Sequence, residues 1–174
     1  MTCHAAYQKN RDVSCTLFDM DAVEELRYLV LGAQREGARA LTELLRPAGL
    51  TPAQAEVIAV ARDADRPLTV REIGERLVCE GGSPSRLVAS VVQAGLLARG
   101  QREGDRRAVE LSLTPAGAKA ATAVAEAERQ LHAWLSTSLS EREIAATVNV
   151  LRKLVDGRQT GTAITHRRGA VRER

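Results

Sequence analysis

The stretch REGDRRAVELSLTPAG, residues 102–117, joins a charged turn to a short apolar strand. Val109, Leu111 and Leu113 alternate with polar residues, and this period of two predicts a strand with one buried face. The Glu-Gly-Asp sequence before the strand supplies a turn, so residues 98–102 should form the partner strand of a β-hairpin. Three arginines at the tip give this hairpin a local positive charge whose partner must be sought outside the hairpin.

The residues upstream predict a short helix that ends in a tight turn. Thr69 and Glu72 have the spacing of a capping box, in which each side chain accepts a free amide at the helix start. The helix should run from Arg71 to Val78 and bury Ile73 and Leu77. The sequence CEGG then interrupts it, since each glycine costs roughly 1 kcal/mol in a helix interior.

A second short helix is predicted to begin at Ser83, with Pro84 in its first turn. Its buried side should carry Leu87, Val88, Val91 and Val92. Its other face carries small polar residues and one arginine at helical spacing, namely Ser83, Arg86, Ser90 and Gln93. Two helices joined by a tight turn are typical of a helix-turn-helix, and the hairpin that follows is therefore predicted to be a wing.

Long helices are predicted on both sides of this unit. The first should run from about Asp21 to near Arg46, with an apolar stripe of Leu26, Val30, Ala33, Gly37, Leu41 and Leu44. Two more should cover residues 115–138 and 141–156, with stripes of Val124, Ala127, Leu131 and Trp134, and of Ile144, Val148, Leu151 and Val155. Caps are predicted at Thr51, Thr114 and Ser140. A small winged domain cannot cover all these stripes, so we expect them to pack against a second copy of the chain.

Composition excludes several classes of protein. The 174 residues are 44% hydrophobic but only 2% aromatic, which suits a core of closely packed helices. The chain lacks an apolar run of about 18 residues, and its start lacks an apolar signal region, so neither membrane contact nor secretion is expected. Three widely spaced cysteines do not predict a disulfide framework, and we expect the chain in the reducing cytoplasm, associated with the nucleoid.

Positive charge is local. The net charge is +3, and residues 158–174, with five arginines and one glutamate, supply +4 of it, so the remainder sums to −1. Residues 99–107 hold four arginines against two acidic residues, a net charge of +2. The segment 158–174 lacks an apolar period, and we expect a disordered basic tail that adds nonspecific attraction to DNA or serves only solubility.

Four segments together resemble the multiple antibiotic resistance regulator (MarR) family. They are LTPAQAEVIAVA, PLTVREIGERL, SPSRLVASVVQAGLL and GDRRAVELSLTPAG, which lie between residues 50 and 117 in the family's order. The resemblance implies a mainly α fold with a small β wing, in a dimeric DNA-binding regulator released by a small ligand, a metal or thiol oxidation. The expected regions are an arm (1–18), a helical dimerisation region (19–49 and 115–157), a winged helix-turn-helix (50–114) and the tail (158–174).

The wing and the two short helices hold the candidate DNA-binding residues. Arg102, Arg106 and Arg107 are expected in a minor groove, which attracts arginine, with Asp105 supporting the wing. The second helix should present Ser83, Ser85, Arg86, Ser90 and Gln93 to base edges or phosphates. Thr69 and Arg71 open the first helix, where phosphate binding and capping alone are alternatives. Gly81 and Gly82 replace the polar residues that the family commonly places there.

The expected function is that of a repressor that binds a palindromic operator in double-stranded DNA as a homodimer and is released by a small-molecule effector. The alternatives are a redox- or metal-responsive regulator of the same fold and a winged-helix module that binds a protein. Cys15 is the candidate redox thiol, whereas Cys79 should pack in the core. Cys3, His4 and Cys15 do not form a zinc motif, and no metal site, cofactor or enzymatic activity is expected. On the dimer-forming helix, core packing is the expected role of His132 and Trp134.

Overall fold

A computed structural model describes the backbone of residues 4–78, 83–102 and 105–172, and the side chains of residues 21–78, 83–101 and 109–167. The elements in these ranges are α1 (His4–Leu45), a 3₁₀ turn (Arg46–Ala48), α2 (Pro52–Arg62), β1 (Leu68–Thr69), α3 (Val70–Gly74), α4 (Pro84–Gln93), β2 (Leu97–Arg102), β3 (Asp105–Leu113), α5 (Pro115–Ser138), α6 (Glu141–Val155) and α7 (Gln159–Arg172). None of these helices combines the length and apolarity that a bilayer crossing requires. Two compact units divide the chain, residues 1–40 and residues 41–174.

The first unit consists of α1 as far as Ala40. The helix begins at His4, well before the predicted start near Asp21, so the segment expected as an arm, with at most a short helix, is part of α1 from His4 onward. The polar residues of this segment have no apolar period, and their pattern therefore did not indicate the helix. Farther along α1, large apolar side chains are exposed, including Val23, Leu26, Tyr28, Leu29, Val30 and Leu31.

The end of α1 is as predicted. The helix stops at Leu45, and Pro47 lies in the 3₁₀ turn that follows. Gly49 then adopts a left-handed conformation (φ 66°), and its amide donates to the Arg46 carbonyl at 3.0 Å. Leu45 and Leu50 on either side of this turn are buried, so the turn packs into the core of the second unit.

The core of the second unit is formed by the winged helix-turn-helix and the first half of α5. The largest fully buried side chains are Leu45, Val57, Ile58, Leu68, Ile73, Val88, Val91, Leu97, Leu111 and Val124. The predicted capping boxes at Thr51 and Ser140 are present, with Gln54 and Glu143 as the reciprocal partners. Each cap satisfies amides that the first turn of a helix leaves free, so the helices begin where the sequence predicts.

The three strands form an antiparallel sheet in the order β1-β3-β2. Leu97 pairs with Leu113 in the predicted hairpin, while Leu68 of the two-residue strand β1 pairs with Leu111 on the other edge of β3. Strand β1 was not predicted, because two residues are too few to show a period. The prediction that Val109 is buried was wrong. It is 45% exposed, because it lies closer to the hairpin tip, beyond buried Leu111.

A Schellman motif ends α4 and starts the wing. Gly95 is left-handed (φ 73°), and its amide donates to the Val92 carbonyl at 2.9 Å. The Leu96 amide reaches back to the Val91 carbonyl at 3.1 Å. This pair of bonds satisfies the last carbonyls of α4 and turns the chain directly into β2.

Thr114 joins the wing to α5. Its hydroxyl donates to the Gly95 carbonyl at 2.7 Å and accepts the Gly117 amide at 2.9 Å, while its own amide donates to the Leu96 carbonyl at 3.1 Å. A Cβ added at Gly117 would lie 1.9 Å from that same carbonyl oxygen and 3.2 Å from Leu113 Cδ2. Only glycine therefore fits at this position.

Helices α5 and α6 leave much apolar surface uncovered in the single chain. On α5, Val124 and Ala127 are buried, whereas Trp134 is 48% exposed. No residue of α6 is buried, and its exposed large apolar side chains are Val148, Val150, Leu151 and Leu154. Both predicted apolar stripes are therefore present. The C-terminal part of the α5 stripe and most of the α6 stripe are not buried by any side chain that the structure describes.

The segment expected to be a disordered tail forms α7 instead. Gly157, in a left-handed conformation (φ 66°), breaks the chain between α6 and α7. A Cβ added at Gly161 would lie 2.2 Å from the Val155 carbonyl oxygen, so the two helices approach each other at this glycine. Helix α7 packs through a close backbone contact and one small buried side chain, Ala163. Its sequence therefore has no wide apolar stripe from which a helix could have been predicted.

The capping box of α3 is joined by an ion pair from Arg66. Glu72 accepts the Thr69 amide at 2.7 Å and the Thr69 hydroxyl at 2.8 Å, while its other oxygen binds the Arg66 guanidinium. The hydrogen bond from Arg66, aided by those from Thr69, lowers the pKa of Glu72 to about 2. The carboxylate therefore stabilises the fold only while it is ionised.

We expect Gly117→Ala to lower the free energy of unfolding by about 2 kcal/mol or more, because the added methyl group must displace the Leu96 carbonyl. Urea denaturation followed by circular dichroism measures the change. Gly100→Ala is the matched control, since a Cβ there meets no atom within 4 Å. Equal stability of the two variants would contradict the close approach.

We expect Glu72→Gln to lower the free energy of unfolding near neutral pH by about 1 to 2 kcal/mol. The difference from wild type should be complete above about pH 5 and should vanish as the pH falls toward 2, since the folded-state pKa of about 2 lies below the ordinary value of 4.5. Urea denaturation at several pH values and fixed protein concentration tests this. A difference that does not depend on pH would show that the ion pair contributes nothing.

Candidate nucleic-acid interface

Helix α4 has the two faces that the sequence predicts. Val88 and Val91 are buried, and Leu87 and Val92 are partly buried against the core. The opposite face exposes Ser83, Ser85, Arg86 and Gln93. Ser83 is the N-cap residue but makes no side-chain capping bond, in contrast to Thr51, Thr69, Thr114 and Ser140. The α4 surface therefore offers hydroxyl, amide and guanidinium groups to a partner.

The Ser90 side chain is less free to contact DNA than the other residues of α4 that the sequence predicts to do so. Its side chain is half-buried, and its hydroxyl donates to the Leu87 carbonyl at 2.7 Å within the helix. Such a bond to the preceding turn is common for serine in a helix. Ser90 can still accept a hydrogen bond, but its donor is already used.

Arg86 has no ion-pair partner among residues whose side chains the structure describes. A surface salt bridge to one of two acidic residues, Glu75 or Glu80, is the alternative to a DNA contact for Arg86, but Glu75 accepts from Arg71 at 2.9 Å. Glu80, the other, lies outside the described residues. The Arg86 guanidinium is thus an exposed cation on the polar face of α4.

At the start of α3, the side chains of Thr69 and Arg71 differ in whether they are free to bind a phosphate. Thr69 Oγ1 accepts the Glu72 amide at 3.2 Å and so caps the helix, as predicted. The side chain of Arg71 is 88% exposed, and its hydrogen bond with Glu75 raises the pKa of the guanidinium. Arg71 can therefore exchange an exposed partner for a phosphate, whereas Thr69 is engaged in the fold.

Helices α3 and α4 are held close together. A Cβ added at Gly74 would lie 3.1 Å from Cβ of Pro84, in the first turn of α4. Helix α3 ends at Gly74, earlier than the predicted end at Val78, although Leu77 is partly buried as expected. Residues 79–82, which include Cys79, Gly81 and Gly82 and for which the sequence predicts a tight turn, lie outside the described residues.

The wing places the predicted arginines at the end of the β2–β3 hairpin. Arg102 pairs with Asp105 across the two strands, after an irregularity in register between Gln101 and Arg102. Arg106 and Arg107 follow in β3. The side chains of these four charged residues lie outside the described set, so their roles stay predictions from the sequence.

A cavity of about 730 Å³ lies between the helix-turn-helix and α7. The helix-turn-helix side includes Val70, Arg71, Leu77, Pro84 and Ser85, and the α7 side is formed by Gln159, Thr162, Ala163 and His166. Two predicted DNA contacts, Arg71 and Ser85, therefore line it. The α7 residues were not predicted for any site, because nothing in the tail sequence indicated a helix packed here.

Most of the residues considered as redox or metal sensors have side chains that the structure does not describe. The backbone of Cys15 belongs to α1, but its side chain is not described, and Cys3 and Cys79 lie outside the described residues. In the described part of the chain, no three histidine, cysteine or acidic side chains are grouped as a metal site would require. His132 and Trp134 are exposed in the single chain rather than packed in its core.

Comparison with known proteins gives a consistent result. Residues 50–117 match the family described as "Winged helix DNA-binding domain". The chain is 28% identical to the transcriptional repressor MdtR of Bacillus subtilis over 129 residues, covering 74% of this chain and 83% of MdtR. It is 26% identical to the transcriptional regulator SarZ of Staphylococcus aureus over 132 residues, covering 76% and 87% of the two chains.

The structural comparison points the same way. A crystal structure of a mutant of MarR from E. coli, complexed with operator DNA, superposes with a TM-score of 0.67 at 26% identity. The match covers 78% of this chain and 96% of that one. Residues 50–117, with a three-stranded wing behind two short helices whose polar face is exposed, thus match a winged helix DNA-binding domain, and the chain as a whole is similar to transcription regulators that include MarR of E. coli.

Proposed function

We propose that the chain is a homodimeric, sequence-specific regulator that binds a palindromic operator in double-stranded DNA. The observation that carries this proposal is the face of α4, where exposed Ser83, Ser85 and Gln93 flank the guanidinium of Arg86, which is unpaired among the described side chains. Arginine binds guanine edges and phosphates in two-pronged geometry, and small polar side chains suit the remaining contacts. An apolar face would instead have favoured the alternative of a protein-binding module.

The wing supplies the second group of contacts in this proposal. Arg102, Arg106 and Arg107 belong to the hairpin that follows α4 directly through the Gly95 turn. A narrow minor groove attracts arginine through its negative potential. We propose that α4 reads the major groove while the wing binds the adjacent minor groove, and that Arg71 binds a phosphate near the start of α3.

The dimer is proposed from apolar surface that a single chain leaves uncovered. Leu151 and Leu154 on α6 and Trp134 on α5 are each at least 40% exposed. Exposed apolar patches of this kind mark protein interfaces in stable proteins. Pairing of two chains through these helices would place two copies of α4 for the two halves of a palindrome.

Repression and its release complete the proposal. The relative MdtR is named a repressor, and the E. coli MarR mutant was crystallised on operator DNA, which supports a repressor acting at an operator. The cavity beside Arg71 and Ser85 has a volume within the range of small-molecule sites, about 300 to 1,000 Å³. We propose that a small organic effector in this cavity competes with DNA, and thermal-shift screening of phenolic compounds, metals and oxidants would identify its class.

We expect Arg86→Ala and Arg107→Ala each to weaken DNA binding about tenfold while the dimer stays intact. Fluorescence anisotropy with a duplex selected from random-sequence DNA by the wild-type chain measures this. Arg129→Ala is the control, because that exposed arginine pairs with Glu126 within α5. Unchanged affinity of both test variants, or failure to select any duplex, would contradict the proposed function.

We expect Leu151→Asp combined with Leu154→Asp to convert the dimer into monomers, since two charges cannot be buried unpaired in an apolar interface. Light scattering after size exclusion measures the mass, and circular dichroism checks the fold. Lys119→Asp, an exposed change near the start of α5, should leave the dimer intact. A wild-type chain that is strictly monomeric would overturn this part of the proposal.

A further inference from the structure

Helix α2 is joined to the middle of α5 by a partly buried ion pair. The Arg62 guanidinium, in the last turn of α2, donates two hydrogen bonds to the Asp63 carboxylate, at 2.8 Å and 3.1 Å. Its Nη1 atom lies 2.9 Å from Glu128 Oε2 of α5. The side chains of Arg62 and Glu128 are only 25% and 30% exposed. Water and salt therefore screen this pair less than they screen the exposed pairs within single helices.

Burial makes Arg62 Nη1 dependent on Glu128. Within the described part of the chain, this nitrogen is buried and makes no aligned hydrogen bond, so the neighbouring Glu128 carboxylate supplies its compensation. A buried polar atom without compensation costs free energy, and a partly buried ion that loses its partner costs more. Removal of the Glu128 charge therefore favours any small movement of α5 that admits water to Nη1.

The pair lies where α5 leaves the core of the second unit. Ala121, Val124 and Ala127 of α5 are buried, and Ala127 is the last buried residue of the helix. Residues 129–138 extend about 15 Å beyond Glu128. This stretch carries Trp134, which is exposed and belongs to the proposed dimer surface. Glu128 thus lies at the pivot between the part of α5 that is packed in the core and the part that is not.

A tilt at this pivot changes the geometry of a dimer. A tilt of about 10° displaces the end of a segment about 15 Å long by roughly 2.6 Å. The rise of one base pair along DNA is about 3.4 Å. In a dimer that pairs through the end of α5, such a tilt therefore moves the two copies of α4 relative to each other by a distance comparable with one base-pair step.

We propose that Arg62 and Glu128 are positioning residues that set the half-site spacing that the dimer accepts. The inference rests on the proposed function, because it requires a homodimer and a palindromic operator. Neither residue lies on α4 or on the wing, so the pair acts on the separation of the two DNA-binding surfaces and leaves the contacts of each surface unchanged. A rigid separation makes binding sensitive to half-site spacing, since any mismatch must be absorbed by deforming the DNA or the protein.

The experiment measures the half-site spacing preference of the full-length chain. Fluorescence anisotropy compares the duplex selected by the wild-type chain with duplexes in which one base pair is inserted or removed at the centre of the palindrome. Each change rotates one half-site against the other by about 34°, and the wild-type chain should bind about tenfold or more weakly, because the DNA must be deformed. For Glu128→Ala, this loss should shrink to about threefold or less, because the released α5 can adjust.

A duplex with a single half-site tests whether the DNA-binding surface itself is intact. Glu128→Ala should bind this duplex with wild-type affinity. Circular dichroism and light scattering measure whether each variant is folded and dimeric. A loss of affinity for the single half-site equal to the loss on the full palindrome would overturn the inference, because the change would then act within one surface and not on the separation of two.

Glu126→Ala is the matched control. It removes an equal charge from the same helix, but Glu126 pairs with Arg129 within α5 and does not reach α2. This variant should keep the wild-type spacing preference. Arg62→Gln should relax the preference as Glu128→Ala does, and the double variant should show no further relaxation, since both changes remove the same interaction.

The outcomes separate this inference from the proposed function. An unchanged spacing preference of Glu128→Ala, an equal relaxation in Glu126→Ala, or a monomeric Glu128→Ala chain would overturn the positioning role. If Glu128→Ala does not fold, the spacing preference of Arg62→Gln decides in the same way. If the wild-type chain prefers one spacing and the variants keep that preference, this inference fails alone. If the wild-type chain selects no duplex with two half-sites, the proposed function fails with it.

Discussion

The backbone carbonyl of Leu96 is the point at which α4, the wing and the long helix α5 meet. It accepts the Thr114 amide at 3.1 Å, and it leaves no room for a side chain at Gly117. The Thr114 hydroxyl adds a bond to the neighbouring Gly95 carbonyl at 2.7 Å. These contacts join the end of α4 to the base of the wing and to the start of α5. The proposed groove-reading elements are therefore fixed relative to each other by the same few atoms.

These local contacts explain why the helices and the wing of the second unit could be predicted from the sequence. Gly95, Thr114 and Gly117 are residue types that a left-handed turn, a helix cap and a close backbone approach each require. The caps at Thr51 and Thr69 are similarly local, so the starts of α2 and α3 follow from a few neighbouring residues. Local chemistry of this kind is visible in a single sequence.

Features that depend on distant contacts were missed. Strand β1 exists because Leu68 meets Leu111 across the sheet, and two residues carry no period of their own. The ion pair between Glu56 and Arg167 joins residues 111 positions apart, and no local sequence pattern predicts such a contact. Of the candidate site, the exposed face of α4 was predictable from helical spacing. That Ser90 donates within its own helix was not, since serine at such a position can face either way.

The arginines in the described part of the chain are used in different ways. Several lie in short-range pairs, such as Arg71 with Glu75 and Arg129 with Glu126, which are exposed and individually weak. Arg86 forms no such pair among the described side chains and lies on the polar face of α4, a helix whose N-cap residue makes no side-chain capping bond.

Arg86 and Arg167 differ in exposure and in pairing, and the same type of side chain therefore does different things at the two positions. Arg86 is exposed and unpaired within the described residues, and a phosphate or guanine can bind it without breaking an existing bond. Arg167 is partly buried and compensates Glu56, so its charge is committed to the fold. The same Glu56 oxygen also accepts the Val78 amide at 2.7 Å. The basic segment that the sequence suggested was unstructured is thus helical over residues 159–172, and Arg167 on it points toward the core of the second unit rather than into solvent.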